Sequence, residues 1–344
     1  MLRHTCIALG VLLCAPALAQ TAETAETPQT VQTAQTAETP PVVQIQETVL
    51  VVGQRPGPGM WKISKGDHVL WVFATYSPLP VKMQWRSQQV EAIIARSQRY
   101  LSPPTLGASV GLWGGLKMLP HVAGMRKNPG GALLRDVVSP EVYARWRVLK
   151  AKYGVADDAE SERPVFAAET LYRAGLKHAG LASGDEVSKA IEALLAANKV
   201  KAIASHVQLD VPDPGKTLRE FKQGSIDDTE CFKVTIERLE TDIAVMRARA
   251  NAWATGDLSE IRKLSFVDRE AACQTAMASS AALRDGMGLE AAEKRVRKLW
   301  LEAAEHVLAT YPTSFAMLKL SNVLRSDYVM TELKARGYTV EAPD

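Results

Sequence analysis

The sequence predicts an α/β (α+β) fold with a mixed central sheet, in which two pseudo-repeated strand-loop-helix halves flank a helix-rich insertion. Three observations predict it. A β-hairpin pattern opens the folded region, helical periodicity dominates the middle of the chain, and a strand-helix-strand pattern closes it. Roughly 300 residues in the folded part is the scale of one large domain.

The first element is a predicted export signal over residues 1–19. Arg3 precedes a short apolar run, and Ala17-Leu18-Ala19 has the small-x-small pattern that signal peptidase recognises. That run is much shorter than the roughly 20 residues of a membrane span, and no later segment of such length lacks charges. We therefore expect cleavage after Ala19, a mature protein with no transmembrane span, and a periplasmic location.

A polar tether is predicted next, over residues 20–47. It repeats Thr, Ala, Glu and Gln with interspersed prolines, and it contains almost no residue that could be buried. Such a composition does not support a packed core and is typical of a disordered segment. We assign the folded domain to residues 48–344, beginning with a short β-branched run at residues 48–52.

A β-hairpin follows this run. Residues 61–64 alternate apolar and polar side chains, residues 65–67 supply a glycine-containing turn, and residues 69–73 are apolar at every position. A strand that is apolar on both faces is typical of the centre of a sheet, so we expect the second strand to be central. Apolar spacing then predicts a helix over residues 85–97.

Helices dominate the middle of the chain. Ser139, Pro140 and Glu141 have the features of an N-cap, a first helical position and an acidic first turn, and they predict a helix through Leu149. The longest predicted helix covers residues 232–253, where apolar residues recur at spacings of three and four. Similar patterns predict helices over residues 165–177, 186–198, 258–264, 269–283 and 289–308, and residues 200–207 are expected to return to the sheet.

The C-terminal part is predicted to return to strand, helix and strand. A mostly apolar strand covers residues 315–324, Ser326 and Asp327 are expected to cap a helix over residues 328–336, and residues 338–340 form a last strand. The opening of the domain has the same order of strand, loop and helix. This similarity is the basis of the two predicted pseudo-repeated halves.

The charge balance argues against nucleic acid as a partner. The chain has 41 Lys and Arg against 38 Asp and Glu, and removal of the signal peptide takes away Arg3 as well. The densest basic cluster, around residues 294–298, falls on the solvent side of a predicted helix and has no accompanying nucleic-acid-binding motif. We expect a mixed, solvated surface.

Two of the four cysteines remain after removal of the signal peptide, namely Cys231 and Cys273. An even pair in an oxidising compartment predicts a disulfide. Closing a loop of this length would stabilise the fold by about 4 kcal/mol on the chain-entropy model. A metal pair is the alternative, but the sequence lacks the neighbouring Cys or His that a closed site requires.

Several runs resemble landmarks of the TraB/GumN family. They are residues 59–80 followed by Trp85-Arg86-Ser87 and a helix, then Ala252-Trp-Ala-Thr-Gly-Asp257, and then Leu333-Lys-Ala-Arg-Gly-Tyr-Thr-Val340, in the family's order. The resemblance covers about residues 59–343. It implies an α/β domain in which two Gly-x-x-His motifs, one after each central strand, join acidic residues in a metal-dependent hydrolytic site, as in the related TIKI metalloproteases.

This chain departs from the family pattern at each of those site positions. Where the first Gly-x-x-His belongs stands Ala74-Thr75-Tyr76-Ser77, and where the second belongs stands Lys319-Leu320-Ser321-Asn322. The positions expected to be acidic fall near Ser102 and near Ala204 or Ser205. Hydroxyls and amides bind divalent transition metals poorly, and the ammonium of Lys319 repels them. We therefore expect no metal cofactor.

The remaining histidines and serines show no sequence pattern of another catalytic site. His68, His121, His178, His206 and His306 contain no pair at helical metal-ligand spacing, and His206 is the one near a family site position. A serine nucleophile at Ser77 lacks a Gly-x-Ser-x-Gly motif, and Pro78 removes the adjacent backbone N–H that an oxyanion hole would use. No catalytic residue is assigned.

The interpretation is an exported TraB/GumN-like pseudoenzyme that binds or scaffolds in the cell envelope. Its candidate ligand pocket comprises the family-motif positions Ala74, Thr75, Ser77, Lys319 and Asn322. The expected partner is an envelope protein or a polar small ligand. The alternative is a peptidase-like hydrolase whose divalent metal sits in a rearranged site, and a third possibility is an envelope assembly factor that uses the long helices and the tether.

Overall fold

The computed structural model describes residues 57–108, 122, 124–182, 185–209, 211–241, 243–263 and 269–343. The predicted signal peptide, the tether and the strand at residues 48–52 lie outside these residues, as does His121. The fold class predicted from the sequence is confirmed, because a mixed sheet carries a large helical insertion.

A six-stranded mixed sheet forms the centre of the described part of the chain. In chain order the strands are β1 (Met60–Lys65), β2 (His68–Thr75), β3 (Leu79–Pro80), β4 (Arg99–Leu101), β5 (Thr105–Ala108), β6 (Leu181–Ala182), β7 (Lys201–Ile203), β8 (His206–Leu209), β9 (Thr313–Lys319) and β10 (Thr339–Glu341). The strand order of the central sheet is β10-β1-β2-β9-β4-β7, and strands β3 and β6, and strands β5 and β8, form two small separate sheets.

The predicted hairpin is confirmed and its second strand is central. β1 and β2 pair antiparallel, and Gly66 adopts the positive φ of 61° that their tight turn requires. β2 also pairs with β9, in parallel, from Val69 opposite Thr313 to Thr75 opposite Lys319. The pseudo-repeated strands of the two halves are therefore direct neighbours, and both point the same way.

The helices cover both the sheet and the insertion. In chain order they are α1 (Gln88–Arg96), α2 (Leu134–Val137), α3 (Pro140–Tyr153), α4 (Pro164–His178), α5 (Asp185–Ala197), α6 (Pro214–Gln223), α7 (Thr229–Thr241), α8 (Ile243–Ala254), α9 (Leu258–Lys263), α10 (Arg269–Ser279), α11 (Ala281–Met287), α12 (Leu289–Thr310), α13 (Leu320–Leu324) and α14 (Val329–Ala335). Ser139 accepts a hydrogen bond from the Val142 backbone N–H and caps α3, as predicted.

The two largest apolar cores of the described residues lie at the sheet and in the helical insertion. One core packs helices such as α12 against the sheet and includes the fully buried Trp300 and Phe315. The other core lies within the helical insertion, where Trp146 of α3 contacts Phe232 of α7 with ring centroids 5.5 Å apart. The insertion is thus stabilised by its own apolar contacts as well as by its contacts with the sheet.

Several element boundaries differ from the sequence prediction. The helix predicted over residues 269–283 is wrong, because Ser280 interrupts it and its hydroxyl caps α11 by accepting from the Leu283 N–H. The strand predicted over residues 315–324 is too long, since β9 ends at Lys319 and α13 follows. An apolar run of that length does not by itself distinguish a strand from a buried helix.

Other differences are smaller. The first helix begins at Gln88 rather than residue 85, and the helix predicted over residues 232–253 corresponds to α7 and α8 on either side of residue 242, which is not described. The predicted capping of α14 by Ser326 and Asp327 is wrong: Tyr328 is its N-cap and makes no side-chain capping bond, while the Asp327 carboxylate accepts from Arg325. Residues 200–207 form β7 in the central sheet and part of β8 outside it.

A disulfide joins Cys231 of α7 to Cys273 of α10, with an S–S distance of 2.00 Å. This link ties α10 to the core of the insertion, where Cys231 is fully buried. In the described part of the chain, none of the helices combines the length and the apolar character needed to cross a membrane.

Candidate functional site

The candidate site lies at the carboxyl edge of the parallel part of the sheet. Strands β2, β9, β4 and β7 are parallel neighbours, so their carboxyl ends meet at one edge. Ligand sites in open α/β sheets occur typically at this edge. The residues that follow the strands here are hydroxyl- and amide-bearing, namely Ser77, Asn322, Ser102 and Ser205.

At the end of β2, Ala74 and Thr75 of the first motif make hydrogen bonds that stabilise the fold. Ala74 is buried, and its backbone carbonyl accepts a 2.7 Å hydrogen bond from the indole Nε1 of Trp253 in α8. The Thr75 hydroxyl donates to the Leu318 carbonyl of β9 at 3.3 Å. Ser77 is exposed to solvent. Ala74 and Thr75 therefore hold neighbouring elements together, whereas Ser77 is accessible.

Tyr76, between these residues, is buried beneath the same edge. Burial raises the pKa of its phenol, and the positive charges of Arg249 and Arg238 oppose that rise. Both arginines are themselves buried, and they come from α8 and α7 of the insertion. The helical insertion thus brings cationic side chains close to the loop after β2.

Ser102 and Ser205, at the positions where the family pattern is acidic, hold two adjacent strand ends together. The Ser205 backbone N–H donates to the Ser102 Oγ at 3.3 Å, and the Thr105 N–H donates to the Ser205 carbonyl at 2.9 Å. These contacts fix the point where β4 and β7 of the central sheet continue into β5 and β8. Their role in the structure is to connect strands.

Both ring nitrogens of His206 also lie within hydrogen-bond distance of neighbouring side chains. Its Nδ1 lies 3.1 Å from the Thr105 hydroxyl, and its Nε2 lies 3.2 Å from the Gln208 side-chain oxygen. His68 lies elsewhere, with its Nδ1 2.8 Å from the Leu308 carbonyl. Among the described residues no group of three His, Cys, Asp or Glu side chains could hold a metal ion. The hydroxyl, amide and ammonium groups at this edge do not fit a divalent transition metal.

A cleft opens beside the carboxyl end of β9. Its volume is about 420 Å³, within the range of roughly 300–1,000 Å³ that is usual for small-molecule sites. Lys319 and Asn322 line it, whereas Ala74, Thr75 and Ser77 do not. The other lining residues are Pro104, Leu106, Glu270, Ala271, Gln274, Glu290, Glu293, Lys294, Val296, Arg297, Ser321, Arg325 and Tyr328. The structure thus brings two of the five predicted pocket residues into one cleft.

The cleft is strongly polar and nearly balanced in charge. Four cationic and three carboxylate side chains line it. Each of the four cations has a nearby acid. Lys294 pairs with Glu290 at 2.7 Å within α12, Arg325 pairs with Asp327 at 2.8 Å, and Arg297 approaches Glu332 of α14 at 3.6 Å. Lys319 pairs with Glu270, which joins the end of β9 to the first turn of α10 across the cleft.

The sequence did not predict that residues of α10 and α12 line the cleft. Glu270, Gln274 and Arg297 come from helices far from the family motifs in sequence, and no local pattern marks them as site residues. For Tyr76 and Arg249, by contrast, the sequence contains a pattern that could have identified them. Tyr76 lies inside the first motif, and Arg249 is three residues after the buried Met246, on the face of α8 that the periodicity had placed inside.

The comparison with known families agrees with this arrangement. The model of the TraB/PrgY/gumN family matches residues 59–342, nearly all of the described fold. No curated protein and no solved structure is significantly similar to the chain. The match begins one residue before β1 and ends one residue after β10, so it spans the whole sheet and the helical insertion within it. This chain belongs to the TraB/PrgY/gumN family.

Proposed function

We propose that this protein is a catalytically degenerate family member that binds a polar small ligand in the cleft beside the carboxyl end of β9, in the cell envelope. The observation that carries the proposal is the set of side chains at the strand ends. An amide at Asn322 and hydroxyls at Ser77, Ser102 and Ser205 stand where metal-binding histidines and acids would be needed, and the ammonium of Lys319 stands at the glycine of the second motif.

The chemistry of these groups suits recognition rather than hydrolysis. Asn322 both donates and accepts hydrogen bonds, and Lys319 donates up to three, so together they can bind carboxylate, carbonyl or hydroxyl groups. An ammonium also repels a divalent cation at short range. The Ser102 hydroxyl already accepts from the Ser205 backbone N–H, and the Ser205 side chain is buried, which leaves the cleft residues as the groups that face a ligand.

The features that predict export support the same proposal. The signal-peptide pattern of residues 1–19 and the disulfide between Cys231 and Cys273 both fit an oxidising compartment outside the cytoplasm. After cleavage, residues 20–47 would be a polar N-terminal segment ahead of the binding domain.

The test compares metal binding with ligand binding. Mature protein purified without chelator is analysed for bound metals and titrated with zinc, manganese and cobalt in a thermal-shift assay. We expect less than one equivalent of any metal and no saturating rise in Tm. About one equivalent of metal, or a rise that saturates as site binding requires, would overturn the proposal in favour of a hydrolase with a rearranged site.

The same protein is screened by ligand-observed NMR against small polar fragments: carboxylic acids, amides and sugars. We expect bound fragments to be lost from the Asn322→Ala variant. They should be retained by Ser77→Ala, a matched control because Ser77 is exposed and lies outside the cleft lining. Equal binding to all three proteins would place the ligand elsewhere and contradict the proposal.

A further inference from the structure

Glu270 holds the cationic group of the candidate cleft. Its carboxylate pairs with the Lys319 ammonium, and both side chains are about half exposed, at 52% and 58%. Both residues line the cleft, Lys319 from the end of β9 and Glu270 from the first turn of α10. A carboxylate of the protein therefore already occupies the position where an anionic ligand group would meet Lys319.

The helix that carries Glu270 is fixed on both sides of it. Arg269, the preceding residue, pairs with Glu169 at 2.6 Å and donates to the Thr235 hydroxyl at 3.0 Å. Cys273, one helical turn later, forms the disulfide with Cys231 of α7. The backbone at Glu270 is thus held in place, so the contact is broken by rotation of the exposed Glu270 and Lys319 side chains.

Release of this contact costs little. Ion pairs between exposed side chains contribute about 0–1 kcal/mol, so a ligand carboxylate that also makes hydrogen bonds within the cleft can replace Glu270. Uncharged groups of Gln274, Asn322 and Tyr328 line the same space and can bind the remainder of such a ligand.

The other carboxylates restrict the charge of the ligand. Glu290 and Glu293 also line the cleft, and the cations Lys294, Arg297 and Arg325 have acidic neighbours of their own. A second anionic group on the ligand would find each of these cations already beside an acid. A ligand with one carboxylate and otherwise neutral, hydrogen-bonding groups therefore matches the charges of the cleft better than a dianion does.

We propose that the Glu270 carboxylate occupies the place of the ligand's carboxylate beside Lys319. The ligand is a polar molecule with a single carboxylate, such as the C-terminus of a short peptide, and it binds Lys319 by displacing Glu270. This inference rests on the proposed function of the cleft and names its ligand class and its internal competitor.

The test uses two probes that differ in one group: N-acetyl-dialanine, which has a free carboxylate, and its C-terminal amide. Affinities are measured by NMR titration at low ionic strength for the full mature protein and its variants. In the wild-type protein we expect the acid to bind more tightly than the amide. In Glu270→Gln the acid should bind about two- to fivefold more tightly than in wild type, since its competitor contributes up to about 1 kcal/mol.

Two variants serve as controls, and circular dichroism checks that each is folded. Glu293→Gln removes one negative charge from the same cleft without releasing Lys319, so we expect less than a twofold change. Lys319→Gln should abolish the preference for the acid over the amide. Equal tightening by Glu270→Gln and Glu293→Gln would overturn the displacement mechanism, because it would indicate only a general change in potential.

Other outcomes separate this inference from the proposed function. If Asn322→Ala weakens binding of the acid while Glu270→Gln leaves it unchanged, the cleft binds ligand but Glu270 is no competitor. If Asn322→Ala has no effect, the cleft itself is not the binding site. Tighter binding of inorganic phosphate than of the acid, or no binding of the acid to any variant, would overturn the assigned ligand class.

Discussion

The hydrogen bond from Trp253 to Ala74 connects one of the family landmarks, residues 252–257, to the end of β2 at the candidate site. Ala252-Trp-Ala-Thr-Gly-Asp257 lies at the end of α8, far in sequence from β2. The indole of Trp253 is buried, contacts Phe73 with ring centroids 6.0 Å apart, and donates to the carbonyl at the end of β2. It therefore sets the position of the loop that contains Tyr76 and Ser77.

Trp253→Phe should destabilise the protein by about 1–3 kcal/mol, because the aromatic ring is largely kept while the buried Ala74 carbonyl loses this donor. Urea unfolding measures the change. Trp85→Phe is the matched control, since Trp85 packs on Phe73 at 5.8 Å and on Trp253 at 6.3 Å from a half-buried position. An equal loss in both variants would mean that packing, and not the hydrogen bond, accounts for the effect.

The residues of the candidate site were partly predictable. Lys319 and Asn322 follow from the order of motifs along the chain, and both line the cleft. Thr75 and Ser77 do not line it, because the Thr75 hydroxyl bonds to Leu318 and Ser77 lies in exposed chain beyond the strand. A motif position specifies which strand end a residue follows, but the direction of its side chain depends on contacts made by the whole fold.

At the scale of elements, α10 links the helical insertion to the sheet. It is joined to α7 by the disulfide and to the end of β9 by the Glu270–Lys319 ion pair. Of these two links the covalent one has the larger effect on stability, because exposed ion pairs contribute about 0–1 kcal/mol.

The double variant Cys231→Ala/Cys273→Ala should lose about 4 kcal/mol of unfolding free energy, the chain-entropy value for a loop with a sequence separation of 42 residues. Urea unfolding of wild type with and without a reductant, beside the double variant, measures it. The reductant should leave the double variant unchanged. A wild-type midpoint that does not respond to complete reduction would contradict this expectation.

The elements predicted correctly are those with a clear local signal. β2 is apolar at every position over residues 69–73, α3 opens with the N-cap Ser139, and α12 has a long apolar face; their boundaries are within a few residues of the prediction. The boundary at Ser280 was missed because the apolar spacing continues across it, although Ser is a favoured N-cap. The end of β9 was missed because buried strand and buried helix have the same composition there.

For the whole molecule, strand order was the least predictable feature. The centrality of β2 follows from its two apolar faces, but nothing local to residues 313–319 indicates that β9 lies between β2 and β4. Pairing between strands so far apart in sequence depends on the packing of the complete domain. The same holds for the cleft, which exists because α10 and α12 pack beside this strand.

Export of the whole molecule is directly testable. In cells that express the full-length chain, we expect a mature protein that starts at Gln20 and is recovered from the periplasm, because Ala17 and Ala19 are the small residues required before the cut. N-terminal sequencing and intact mass provide the measurement. An Ala17→Arg/Ala19→Arg precursor should remain uncut, and recovery of uncut wild type with free thiols at Cys231 and Cys273 would contradict export.

The position of β9 determines when this domain can fold. β2 and β4 are made early, yet they are joined in one sheet only when β9, near the C-terminus, pairs with both of them. A chain that has not yet delivered residues 313–319 has no completed parallel sheet and no carboxyl edge. We therefore expect the sheet to be completed only after residues 313–319 have been synthesised, and we expect the non-local pairing of β9 to be slow.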